Sequence, residues 1–473
     1  MTLVEEFEQL IDEKRTVYAE LAKKVWEHPE LRFTEKKSSA YLREALQQEG
    51  FDVKTGIAGL QTGFVGSYGQ GEPVVAFLGE FDALAGLSQK GGCAEPRALE
   101  DGGNGHGCGH NLLGVGSLAA AFAVKAYLEK HRLPGTVRFY GCPAEESGNG
   151  KAYMARSGCF KDVDAAFSWH PGTVNCVQHC SSNAVIEARF IFDGRSAHAA
   201  ALPEFGRSAL DAAELMNIGV NYLREHIGDQ ERVHYAMTNT GGVSPNVVQA
   251  HAEEVFLVRS PQAEDVRELF KRVVHVAEGA ALMTDTTMSY HIEGGCYNLM
   301  PNTALHKVMQ KYLEAFSFPD ISEKDRRFIQ QIYETNDAQA KAWTLRSLSA
   351  AQKQQLEETA IAKWVKPMPE HETFMKGSTD VSDVSWNVPT AQCYTATWAF
   401  ATVPHTWQVV AQGTEDFSLD ATLYAAKAMA CTAAEALSDA ALLATAKAEF
   451  EQRLDGKAYN CLIPDEIVPP VFN

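Results

Sequence analysis

Short apolar segments alternate with helical ones through the first part of the chain, and this rhythm constrains the fold more than any other feature. TGFVGSYG, PVVAFLGEFDAL, TVRFYGCPAEE and VDAAFSWHP read as strands. KKSSAYLREALQQEG reads as a helix stopped at Gly50, and the longest helix is expected over Leu112–Lys130. Alternating strands and helices predict an α/β sheet covered on both faces, with functional residues gathered at the carboxyl ends of its strands.

From about Ala184 the texture changes. AVIEARFIFDG, VHYAMTNTGG, AEEVFLVRS and TTMSYHIEG read as strands, with helices expected at 208–226 and 264–282. The β-α-β-β-α-β order is that of a ferredoxin-like α+β module. We therefore expect a discontinuous main domain, 1–183 and 300–473, interrupted by an insert at 184–299. Beyond Pro301 the chain is helical and polar until TAQCYTATWAF and a final helix, SLDATLYAAKAMACTAAEAL, which should complete the main domain. Residues 322–371 carry no functional signal and read as helices covering the sheet or lining an interface.

Composition narrows the function classes. With 42 Lys and Arg against 61 Asp and Glu, the net charge of −19 opposes binding to nucleic acid or anionic membranes. The first 31 residues are acidic and helically periodic, unlike a signal peptide. No run of 18 apolar residues suggests a membrane span. Ten scattered cysteines point to reduced thiols and a cytoplasmic setting.

Four polar clusters sit where a strand ends or a helix begins. GNGHGCGHNLLG places Cys108 and His110 two positions apart, so that in an extended segment both side chains face one side. Glu145 and Glu146 follow a strand; adjacent carboxylates there suit a cation held by one and a proton taken by the other. His170 ends VDAAFSWH, and His405 follows the apolar segment ATWAFATVP. Each alone has a plainer reading: a glycine turn, a solvated acidic turn, a capping histidine. Together Cys108, His110, Glu146, His170 and His405 supply mixed S, N and O donors that suit two late first-row divalent ions and do not suit an all-oxygen site.

HPELRF, GEFDALAG, GHGCGHN, GCPAEESGNGK, FSWHPG, GRSAHAA, SPNVVQ and PHTWQ occur in this order along nearly the whole chain. In wording and order they resemble the aminoacylase and carboxypeptidase family of co-catalytic metallohydrolases, and within it the branch of hippurate and auxin-conjugate amidohydrolases. The resemblance implies a mixed-sheet α/β metallopeptidase domain with a ferredoxin-like lid or dimerisation insert. It implies two divalent ions, Mn or Zn, held by Cys108, His110, Glu146, His170 and His405, with Glu145 as general base. Asp82 would orient a ligand from behind. His198 would donate to the oxyanion across a dimer, and Asn246 and Arg259 would hold substrate. Gly377 and Ser378, in the loop GSTD, would close over the same end. His106 is expected to be structural or to support a ligand.

The implied reaction is hydrolysis of an N-acyl amino acid amide. Aminobenzoyl-glutamate is the substrate most in keeping with Glu80 and Asn111, where hippurate and auxin-conjugate relatives carry Asp. Other N-acyl amino acids and dipeptides are the alternatives, as is a non-catalytic partner of a heteromeric hydrolase. Partners are expected to be a second copy or a paralogous subunit. A metal-free route through Cys108 as nucleophile lacks an orienting motif, and a structural metal protein would show closed Cys-rich sites.

Overall fold

The computed structural model describes residues 1–472. Seven strands form the main sheet: β1 (Asp52–Thr55), β2 (Phe64–Gln70), β3 (Val74–Glu80), β4 (Gly135–Cys142), β5 (Ala165–Gly172), β6 (Cys176–Val177) and β13 (Thr390–Ala396). They run in the order β1-β2-β4-β3-β5-β13-β6. The four at its centre, β4, β3, β5 and β13, are mutually parallel, whereas β2 and β6 run antiparallel to their neighbours. All four central carboxyl ends therefore open on one edge, where ligands bind in sheets of this kind.

Both faces are covered, as the near-continuous apolar wording of β3 requires. Val75 and Phe77 join a core with the helices His110–His131 and Asp416–Ser438, while Val74, Ala76 and Leu78 turn to the opposite core with the helix Gly150–Arg156. Each fully buried Phe in these layers contributes about 1.5–3 kcal/mol. A Cβ on Gly116 would lie 2.6 Å from Trp169 Nε1, so this glycine sets how closely the long helix approaches β5. By length and composition that helix could cross a membrane, but 83% of the apolar window is buried inside the protein. Here a span-like sequence is a core helix.

The second sheet consists of β8 (Ala184–Asp193), β9 (Arg232–Asn239), β10 (His251–Ser260) and β11 (Thr287–Cys296), ordered β11-β8-β10-β9 and antiparallel throughout. The strict alternation of burial along β10 shows one covered face. The helices Ala209–Leu223 and Ala263–Thr284 pack on that face around Phe190, Phe256 and Val258. A minor pair, β7 (Cys180–Ser182) and β12 (Thr373–Met375), runs parallel.

Two details differ from the sequence reading. The long helix begins at His110, not Leu112, because Gly109 adopts φ +76° immediately before it. After the expected last helix comes another, Ala440–Leu454, capped by Asp439; its mixed polar wording gave no strong apolar stripe. All ten cysteines are unpaired.

Candidate metal centre

The carboxyl edge of the main sheet collects the donors one by one. Cys108 and His110 precede and open the long helix. The expected alternation of an extended segment is not what aligns them: the left-handed turn at Gly109, where a Cβ would press on Pro171 at 3.0 Å, does so. Glu145 and Glu146 follow β4 in a tight turn in which Ala144, Ser147 and Asn149 all have positive φ. Such strain persists only where surrounding structure imposes it. Here the buried Glu35 carboxylate accepts from the Ala144 and Phe33 amides and from the Thr62 hydroxyl. Burial, then the charge of Asp82, pushes Glu35 up to about 8. His170 lies in β5, and His405, at φ +61°, is tied by its amide to the Gly107 carbonyl at 2.8 Å.

The donor atoms form two groups that share one sulfur. Cys108, His110 and His170 lie with ligand atoms within 4.8 Å of one another, as do Cys108, Glu146 and His405. His110 Nδ1 pairs with Asp82 Oδ1 at 2.8 Å, which turns Nε2 to the other donors, buried and without a hydrogen bond. Glu146 Oε1 is likewise buried and unpaired by hydrogen bonds. Asp82 also accepts from the Glu146 amide at 2.9 Å, so one buried carboxylate orients both groups. His170 Nδ1 donates to the Pro171 carbonyl at 2.7 Å and turns Nε2 toward Cys108 Sγ, 3.5 Å away. Two buried ligand atoms without hydrogen bonds, His110 Nε2 and Glu146 Oε1, grouped with Cys108, His170 and His405, fit a site for two divalent ions.

Electrostatics agree with a site built for cations. Burial pushes the Cys108 thiol up, and with it the benefit of a nearby positive ion. Burial, then the charges of Glu80, Glu146 and Asp380, holds Glu145 well above the usual carboxylate range. Burial opposes charge on His110, but Asp82 and Cys108 outweigh it and raise its pKa well above the imidazole value.

Three residues went unassigned in the sequence reading. Glu80 closes β3 and forms a third donor group with His110 and Glu145. Its other oxygen meets Lys151 Nζ at 2.6 Å, and Lys151 also reaches Asp380 Oδ1 at 2.5 Å, all three buried. Lys151 and Asp380 lie in GNGKA and GSTD, so buried charge at motif ends was the available signal. Of the two departures from relatives, Glu80 thus joins the centre, whereas Asn111 pins the Gly413 carbonyl at 2.9 Å. His106 is structural: its ring donates to the Val25 carbonyl, and burial pushes its pKa down to about 4.

A cavity of about 940 Å³ lies above this edge. Glu145, Glu146 and His405 form its floor, and the helix-free face of the second sheet, with Glu187, Leu257 and Arg259, lies across it. Arg259 Nη1 donates to Ser378 Oγ at 2.8 Å, and Gly377 adjoins them. His198 and Asn246 are not brought there. Both are exposed on two loops joined to each other through the Ala199 amide and the Asn246 carbonyl, outside this cavity's lining.

A parallel-centred sheet edge with clustered S, N and O donors, a carboxylate beside them and a roofing insert defines a metallohydrolase. The chain belongs to the peptidase family M20/M25/M40, whose pattern matches residues 76–435. It is 44% identical over 466 residues to one of the subunits of p-aminobenzoyl-glutamate hydrolase from Escherichia coli, covering 97% of each chain. It is 32% identical over 308 residues to a mouse Xaa-Arg dipeptidase, covering 62% of this chain and 67% of that one. The solved aminobenzoyl-glutamate utilization protein of Klebsiella pneumoniae shares the fold, with TM-score 0.56 at 17% identity, over 88% of this chain and 98% of that one.

Proposed function

We propose that the protein hydrolyses the amide of an N-acyl amino acid, with p-aminobenzoyl-glutamate, split to p-aminobenzoate and glutamate, as its substrate. The observation that carries this reading is the pair of donor groups sharing Cys108, with Glu145 beside them in a cavity that also holds Arg259. Similarity to the Escherichia coli hydrolase over almost the whole chain supports the choice of substrate.

Cys108, His110 and His170 would hold one divalent ion and Cys108, Glu146 and His405 a second; Mn and Zn both suit these donors. When bound, the ions supply Lewis acidity and lower the pKa of coordinated water. Glu145 takes a proton from the attacking water and returns it to the departing amine nitrogen. Arg259, fixed by Ser378, pairs with the free carboxylate of the amino acid product. Exposed His198, delivered with Asn246 by a second copy docked through the insert, donates to the oxyanion. The Escherichia coli relative is one part of a hydrolase with more than one kind of subunit, and a paralogous chain is the alternative source of that histidine.

The test is metal analysis of the purified protein followed by assay with added Mn or Zn against p-aminobenzoyl-glutamate, hippurate, indoleacetyl-aspartate and simple dipeptides. Release of glutamate from the first substrate is expected. Absence of hydrolysis by the metal-loaded protein, with or without a paralogous chain, would favour a non-catalytic partner.

A further inference from the structure

A second cavity, about 650 Å³, borders the same metal centre at other donors. Cys108 and His170 line it, so the cavity reaches the metal centre. The remaining walls are largely apolar, with Val174, Phe374, Met375, Tyr394 and Trp398, joined by Lys366, Pro367 and Pro369 and by His179. The Tyr394 ring stands 5.5 Å from that of His170, centroid to centroid. Phe374 lines both cavities. Among the described residues no Asp or Glu lines this second cavity, whereas the first carries Glu145, Glu146, Glu187 and Asp229 beside Arg232 and Arg259.

We propose that this apolar cavity is the acyl subsite and that it takes an aromatic ring; the inference rests on the amidohydrolase reading above. An amide carbonyl held at the donors has two substituents that must leave in opposite directions. The amino acid side, bearing a carboxylate, goes to Arg259 and Ser378. The acyl side then enters a chamber without negative charge. Its size suits a small ligand, and Tyr394 and Trp398 supply ring faces and edges for offset or edge-on packing. An acetyl group would leave most of the chamber unfilled. The wall at 366–369 is held by the Lys366 amide on the Asn175 carbonyl at 2.8 Å, and the wall at Phe374 and Met375 by pairing of β12 with β7. The end of the stretch without a motif, 322–371, thereby gains a role in choosing the substrate.

Two variants at partly exposed wall positions test this: Val174→Trp, which fills the chamber, and Met375→Glu, which charges it. The reading is the ratio of kcat/KM for p-aminobenzoyl-glutamate to that for N-acetyl-glutamate, on metal-loaded protein. The ratio is expected to fall at least about tenfold in both, the scale on which pocket shape discriminates substrates. An unchanged ratio in both variants, with wild type active, overturns the subsite and leaves the amidohydrolase reading intact. Failure of wild type on both substrates overturns that reading instead. Calorimetric titration with p-aminobenzoate then judges the subsite without turnover. Binding to wild type that weakens at least about tenfold in both variants supports it; no binding, or equal binding to all three proteins, overturns it.

Discussion

The sheet edge and the insert face each other across one cavity, and they are built in opposite ways. At the edge four of the five proposed ligands are fixed or backed by another group: His110 by Asp82, Glu146 by the same Asp82, His170 by a backbone carbonyl, His405 by its amide on the Gly107 carbonyl. On the insert Arg259 touches Ser378, and His198 merely accepts from the amides of Ala200 and Ala201. Chemistry that must not move is placed on the buried rim, and recognition is placed on the roof.

The sharpest way to break this division is Glu145→Gln, expected to lower kcat about 10²–10⁴-fold while both ions remain bound by elemental analysis; lost metal would make Glu145 a ligand rather than a base. Next is Asp82→Asn, which leaves all five proposed ligands in place. Metal affinity, measured by competition with a chelator, should drop roughly 10–100-fold, and unaltered affinity would show that the rim does not need its supporting carboxylate. Arg259→Ala should raise KM for p-aminobenzoyl-glutamate by the equivalent of about 1.5–3 kcal/mol, with a far smaller effect on an amide lacking the carboxylate. Equal effects on both amides would move recognition away from the roof.

The smallest expected effect separates the regions by stability. Glu254, in the insert, is buried with neither oxygen hydrogen-bonded, and burial pushes it up to about 8. Because its folded pKa exceeds its unfolded one, the neutral form favours folding at low pH, and that support is lost as pH rises toward and through 8. Glu254→Gln should therefore raise Tm by a few degrees at pH 9 and hardly at all near pH 5; the same gain at both would exclude the titration.

Much of the architecture was legible because its signals are local. The strand-helix rhythm of the main body and the β-α-β-β-α-β order of the insert are both carried by short runs of neighbouring residues, whereas the alternating burial of β10, with Glu254 inside, is not written in its residue types. The five ligand candidates were legible as a set from their motifs, although His405 follows an irregular segment after β13 ends at Ala396 and not a strand running to Pro404. Their pairing around one sulfur was not legible, because it depends on the turn at Gly109 and on strand order. Lys151 and Asp380 were illegible for a similar reason. A lysine 229 positions from its aspartate has no sequence neighbour to betray that it is buried. His198 and Asn246 illustrate the converse, with recognisable wording around residues that one chain leaves on its surface.

The insert also has a distinctive attachment. β8 brings the chain into it and β11 takes the chain out, and these two strands lie side by side, with Val185 opposite Cys296. Entry and exit thus share one seam at the edge of the module. A short bridge across that seam would join the two halves of the main body directly, so the roof is a graft that could be removed, exchanged or resized without rethreading the sheet that carries the donors.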